Sequence, residues 1–197
     1  MREWIKGYLS AQERAVASID PAAVEKLVHL LVEVHARDGQ VFTCGNGASA
    51  ANASHFAADL GKNASGALVK RGFRPFRILS LNDNTPWMTA LANDYCYEEV
   101  YSRQLANYAR AGDLLIAISV SGNSPNVIKA MEYAKEHGVK TVAIVAAQRG
   151  KAAVLADHVV VVEDPHYGRS EDAHMTILHM AAFAFVEQAV QPAAAQG

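Results

Sequence analysis

Three hydroxyls within six residues form the densest chemistry in the chain: Ser119, Ser121 and Ser124, in the run Ser119-Val120-Ser121-Gly122-Asn123-Ser124-Pro125-Asn126. They follow an apolar stretch, and Ser124-Pro125 has the form of a helix N-cap with proline in the first turn. Gly122 frees the turn before it. Hydroxyls and backbone N–H groups converging on a helix N-terminus suit a phosphate, because those amides are unpaired and the helix dipole favours negative charge. A plain capped turn would account for Ser124 and Pro125 but would leave Ser119 and Ser121 without a task. Neither GxxxxGK[ST] nor GxGxxG occurs, which disfavours a nucleoside triphosphate or a dinucleotide. The expected ligand is a small phosphorylated metabolite.

A second candidate begins at Cys44-Gly45-Asn46-Gly47-Ala48-Ser49 and runs through Asn52 to His55 and Asp59. The Gly-Asn-Gly turn lets backbone approach a ligand, and Ser49 is placed to cap the helix that follows. His55 and Asp59 are spaced i, i+4 and share one helix face. Such a pair can share a metal, work as acid and base, or simply be a solvated ion pair, and spacing alone leaves all three open. Further on, Ser170-Glu171-Asp172 has the pattern of a helix start, with Ser170 as cap and two acids in the first turn. His179 lies two turns beyond, which sets Glu171 and His179 about 12 Å apart along one axis. Asn93 and Asp94 can bind sugar hydroxyls or merely end a helix. His29, His35, His137, His158 and His166 show no second feature and read as surface or core histidines.

These residues need a scaffold that presents several loops on one edge. Two helical segments open the chain, about 2–18 and from the N-cap Asp20-Pro21 to Arg37-Asp38-Gly39, where glycine can take the left-handed cap. Short runs rich in β-branched residues follow at 40–44, 77–81, 114–119, 141–145 and 158–162, without polar alternation, as in strands buried on both faces. Helix-patterned segments lie between them near 49–60, 98–109, 124–137 and 151–156, and a last helix covers about 170–190. The alternation predicts an α/β fold, a doubly wound five-stranded parallel sheet flanked by helices, with an N-terminal helical extension. Ligands in such sheets bind beyond the carboxyl ends of the strands, where the serine run and the Gly-Asn-Gly turn both fall.

Composition narrows the class. The 197 residues carry 18 Lys+Arg against 20 Asp+Glu, a net charge of −2, with 51% hydrophobic and 19% charged residues. This is a globular chain without the basic surplus that phosphate-backbone binding needs, so no nucleic-acid partner is expected. No stretch approaches a membrane span or a signal peptide, and Cys44 and Cys96 form no framework; a cytoplasmic, reducing location and no membrane partner are expected, with both thiols as small hydrophobes. One structural unit is expected: helices 1–38 joined to a domain at 39–190, with a tail at 191–197.

Read together, GNGASAANASHFAADL, TALANDYCYEEVYSRQL, GDLLIAISVSGNSPNVIKA and SEDAHMTILH resemble the sugar-isomerase (SIS) domain family, flavodoxin-like in fold, and within it the phosphoheptose isomerases. The resemblance covers nearly the whole chain. It implies conversion of sedoheptulose 7-phosphate to D-glycero-D-manno-heptose 7-phosphate, an aldose–ketose isomerisation through a metal-assisted enediol. It implies a homotetramer with active sites between subunits, the helices 1–38 packing in that assembly. The phosphate falls to Ser119, Val120, Ser121 and Ser124, and further substrate contacts to Asn46, Gly47, Ala48, Ser49, Asp59, Asn93, Asp94 and Glu171. One Zn²⁺ per site, or another divalent metal, falls to His55, Asp59, Glu171 and His179, with Asp59 and His179 also moving protons. The chain departs from the pattern where Asp59 replaces Glu, Glu171 replaces Gln, Ala48 replaces Gly, and Lys62 stands near the place of a substrate-binding arginine. The departures gather at the sugar end, so two other readings stay in view: isomerase of another phosphoketose, or a non-catalytic relative that binds a sugar phosphate or the bacterial replication initiator.

Overall fold

The computed structural model describes residues 1–190; the expected tail at 191–197 lies outside them. Five strands, β1 (Gln40–Gly45), β2 (Arg77–Ser80), β3 (Leu114–Ser119), β4 (Lys140–Ala146) and β5 (His158–Val162), form one sheet in the order β2-β1-β3-β4-β5. Every pairing is parallel. The order reverses direction between β1 and β3, so the loops leaving these two strands diverge and open a crevice between them.

All six residues of β3 are buried, which is why the run shows no polar alternation. Its side chains alternate between two cores. Leu114, Ile116 and Ile118 pack with Leu27, Leu31, Phe56, Leu178 and Phe185 on one face. Leu115 and Ala117 pack with Tyr101, Leu105, Val127 and Met131 on the other. The first core is covered by helices α2 (Pro21–Ala36), α3 (Ala48–Ala58) and α9 (Tyr167–Glu187), the second by α6 (Ser102–Tyr108) and α7 (Pro125–Glu136). Helix α1 (Arg2–Ala17) lies on α9, with Gln12 Nε2 donating to the Arg169 carbonyl at 3.2 Å and Tyr8 edge-on to His166. The remaining helices are α4 (Ser65–Lys70), α5 (Thr85–Asp94) and α8 (Gly150–Leu155), with a 3₁₀ turn at Tyr97–Glu99.

Several local expectations need correction. Ser49 does not cap α3: Gly47 holds that position at φ 56°, and Ser49 lies inside the helix. Ser170 likewise lies inside α9, which starts three residues earlier with His166 as its cap; the Ser170 hydroxyl donates instead to the Asp164 carbonyl at 2.8 Å. At the end of α2 the left-handed residue is Asp38, at φ 59°. Gly39 serves close packing, since a Cβ there would stand 2.6 Å from Val34 Cγ2. The pattern near 49–60 does not run on as one α-helix either. It passes at Asp59 into a π-helical stretch, Asp59–Ala64, a wider coil common at functional sites. Cys44 is fully buried, and burial pushes its thiol up to about 12; Cys96 is half-buried.

His174, on α9, is fully buried and neither ring nitrogen has a hydrogen-bond partner. Burial pushes its pKa from 6.5 down to about 4; the Val145 carbonyl, which opposes the shift, does not reach full hydrogen-bond geometry. Between these values the unfolded chain binds a proton that the folded chain refuses, so stability is complete above about pH 6.5 and is lost as pH falls. At pH 5 the loss from this group is about 2 kcal/mol, or roughly 4–8 °C in Tm for a chain of this size. Thermal unfolding at pH 7 and pH 5 should show a drop of that order, and a smaller one in His174→Gln. Equal drops in both proteins would place the pH dependence elsewhere.

Candidate active site

In the loop after β3, Ser121 Oγ accepts from the Asn123 amide at 3.2 Å. Ser124 is the N-cap of α7 by position, yet its side chain makes no capping bond; its hydroxyl faces Ser119 Oγ at 3.5 Å. Ser119 Oγ accepts from the Gly122 amide at 3.2 Å. Ser119, Val120, Ser121 and Ser124 line a cleft of about 100 Å³ together with Asn46, Ser49, Tyr167 and Glu171. Hydroxyls gathered at the start of a 12-residue helix have the chemistry that suits an anion.

Asn46 ties this loop to the one after β1. Its Nδ2 donates to Asn126 Oδ1 at 2.8 Å, and its Oδ1 accepts from Asn126 Nδ2 at 2.9 Å. The Tyr97 hydroxyl also donates to Asn46 Oδ1 at 3.1 Å, while the single Tyr101 hydroxyl proton goes to the Gly45 carbonyl at 2.5 Å, with Asn46 Oδ1 3.1 Å away. Burial keeps the Tyr101 phenol well above its ordinary pKa, so it stays a neutral donor. On the far side of Asn46 lies a cavity of about 340 Å³, bordered by Gly47 and by Thr89 and Ala92 of α5. Ala48 opens α3 beside it and is exposed. Asn93 and Asp94 end α5, exposed and bonded to each other at 2.9 Å, and border neither space.

The His55–Asp59 pair has a third member. His179 on α9 brings its Nε2 to 3.2 Å from His55 Nε2 and 3.5 Å from Asp59 Oδ2, while His55 Nε2 is 3.2 Å from the same carboxylate oxygen. Asp59 Oδ1 is occupied by Asn63 Nδ2 at 3.0 Å. Asp59 Oδ2 is buried and has no partner of hydrogen-bond geometry. A buried carboxylate oxygen left unmatched between two imidazole nitrogens is costly alone and well matched by a cation. Two histidines and a carboxylate are the donor set of many divalent-metal sites with a position left for substrate. His55, Asp59 and His179 therefore fit a metal ion. They border a cavity of about 500 Å³ with Met180, Phe183 and Glu187.

Glu171 is not part of this group. The described residues bring three of the four expected ligands together, and Glu171 instead faces the serine cleft. Burial, then the charge of Asp172, raises its carboxyl pKa. Tyr167, Asn126 and Asn63 had no assignment from the sequence. Asn126 and Asn63 were legible only as polar residues close to the motifs, and nothing marked Tyr167.

Known proteins resemble this chain in both sequence and fold. The SIS domain family model matches residues 3–146. A phosphoheptose isomerase of Helicobacter pylori is 42% identical over 153 residues, 78% of this chain and 77% of the relative. One of Geobacter is 34% identical over 183 residues, 91% of this chain and 93% of the relative. The solved phosphoheptose isomerase of Neisseria gonorrhoeae superposes with a TM-score of 0.86 at 30% identity, covering 96% of this chain and 99% of that one. The chain belongs to the SIS-domain family, within its phosphoheptose isomerase branch.

Proposed function

We propose that the protein is an aldose–ketose isomerase converting sedoheptulose 7-phosphate to D-glycero-D-manno-heptose 7-phosphate. The observation that carries this reading is the Asp59 carboxylate, one oxygen fixed by Asn63 and the other open between two imidazoles. That is the arrangement of a positioned base beside a metal site. The serine cleft supplies the phosphate end, with Ser119, Val120, Ser121 and Ser124 on the phosphate and Asn46, Gly47, Ala48, Ser49, Asn93 and Asp94 on the sugar. Asp59 takes the proton from one of the two carbons C1 and C2 and returns it to the other. His179 exchanges the matching proton with the oxygen that alternates between carbonyl and hydroxyl. A bound Zn²⁺, or another divalent ion, would polarise these oxygens and stabilise negative charge on the enediolate.

Zinc would be held by His55, Asp59 and His179 of one chain and by Glu171 of another. Eight residues along one helix separate Glu171 from His179 by about 12 Å, so a single chain cannot supply all four ligands. The reading therefore requires sites shared between chains, as in the homotetramer that the family resemblance implies. Exposed apolar side chains on α1, Trp4 at 66% and Leu9 at 61%, support self-association through the first 38 residues, with 39–190 as the domain that carries the site. No helix of the described residues is long and apolar enough to cross a membrane, which supports a cytoplasmic enzyme.

Purified protein should isomerise sedoheptulose 7-phosphate, lose the activity to a chelator and regain it with Zn²⁺. Silence in both states, with turnover of another phosphoketose, would replace the substrate. Asp59→Asn should lower kcat by roughly 10²–10⁴-fold, the usual worth of a general base, while inorganic phosphate still binds; normal turnover would remove Asp59 from the proton transfer. Sharing between subunits has its own test. His179→Gln and Ser119→Ala/Ser121→Ala proteins, each inactive alone, should regain activity when mixed, unfolded and refolded together. Failure of mixed oligomers to recover any activity would argue for sites contained in single chains.

A further inference from the structure

Asn123 sits in the middle of the serine loop, yet it lines none of the cleft. Its side chain points the other way. Nδ2 donates to the Ser121 carbonyl at 3.1 Å, and Oδ1 accepts from the Lys151 amide, in the first turn of α8, at 2.9 Å. One residue earlier the Gly122 carbonyl accepts from the Ala152 amide at 2.9 Å. The two loops then meet backbone to backbone. A Cβ at Gly122 would stand 1.9 Å from the Arg149 carbonyl oxygen, and one at Gly150 would stand 2.4 Å from the Ser121 carbonyl oxygen. Both glycines are in the left-handed region, at φ 63° and 62°, so neither position accepts a side chain without movement of the serine loop.

We propose that Asn123 and Gly150 are positioning residues for phosphate binding, forming a clasp between the serine loop and the β4–α8 loop that sets where the Ser119, Ser121 and Ser124 hydroxyls stand. Both bonds across the gap run one way, from amides of α8 to acceptors on the serine loop. The serine loop supplies the acceptors that the first amides of α8 need, and in return α8 fixes the backbone that follows Ser121. Phosphate recognition by neutral hydroxyls depends on their placement to within a fraction of an ångström, because among the described residues no positive side chain borders the cleft to compensate for misplacement. The proposal rests on the assignment of phosphate to the serine loop.

The test is direct binding of inorganic phosphate, measured by calorimetry, together with steady-state kinetics on the full chain. Asn123→Ala should weaken phosphate binding about three- to ten-fold, the order expected when the two side-chain hydrogen bonds that order a binding loop are lost. KM should rise by the same factor while kcat stays within about two-fold, because the proton-transferring groups are elsewhere. Gly150→Ala should act in the same direction. Asn107→Ala, which removes an exposed amide bonded only within its own helix, should change neither constant. A lowered Tm in Asn123→Ala with phosphate affinity and KM unchanged would overturn the proposal, leaving Asn123 a helix cap and nothing more. Absence of phosphate binding in the unmodified protein would remove the serine-loop assignment and this inference with it, and the calorimetry reads that outcome without any turnover.

Discussion

The reciprocal pair of carboxamides, Asn46 with Asn126, is the contact on which the architecture of the site depends. The strand order makes the chain leave β1 and β3 in opposite directions, which opens the crevice but also separates its walls. Two hydrogen bonds of 2.8 and 2.9 Å close the floor again. Asn126 is 2% exposed, so its amide would be costly to leave unmatched. The pair uses both oxygens and one N–H of each amide, and the Tyr97 hydroxyl adds a further donor to Asn46 Oδ1. The turn after β1 is therefore fixed relative to α7, and the hydroxyls at the start of α7 are fixed relative to Asn46. The clasp on the other side of the serine loop extends the same logic: a loop that must bind through placed hydroxyls is held by its backbone from two directions.

Much of this was legible in the sequence because it depends on local chemistry. Buried parallel strands announce themselves as short β-branched runs, and β3 and β5 span the residues that the pattern predicts, 114–119 and 158–162. The serine run was legible as a turn entering a helix, but its bonds were not: Ser124 makes no capping bond, while Ser119 and Ser121 accept from the Gly122 and Asn123 amides. His55 and Asp59 were legible as a pair because i, i+4 spacing survives at the junction of α3 with the π-helical stretch.

What was not legible depends on tertiary partners. Nothing near His179 in sequence points to His55, 124 residues away; α9 packing on α3 brings them together. Helix starts were misjudged at Ser49 and Ser170 because a serine followed by good helix formers is a statistical cap. Here a glycine at positive φ and a histidine take those places, and the serine hydroxyls find tertiary roles. The π-helical stretch has no signature in the sequence, although it begins at the residue whose carboxylate completes the cluster.

The separation of Glu171 from the histidines gives a reason for its charge. A carboxylate beside three serines is a poor neighbour for a bound phosphate, since like charges at short range in a half-buried cleft repel. Burial already disfavours its ionised form in the isolated chain. Both difficulties are met if the cation-binding group of a second copy approaches this cleft, because a divalent ion neutralises the carboxylate and draws it away from the phosphate. Glutamine in this place would need no such compensation, and glutamate does. On the proposed assembly, replacing glutamine by glutamate ties this cleft to the opposing metal site by charge as well as by shape, so the phosphate and sugar ends of the site are coupled through the subunit contact and not through the chain.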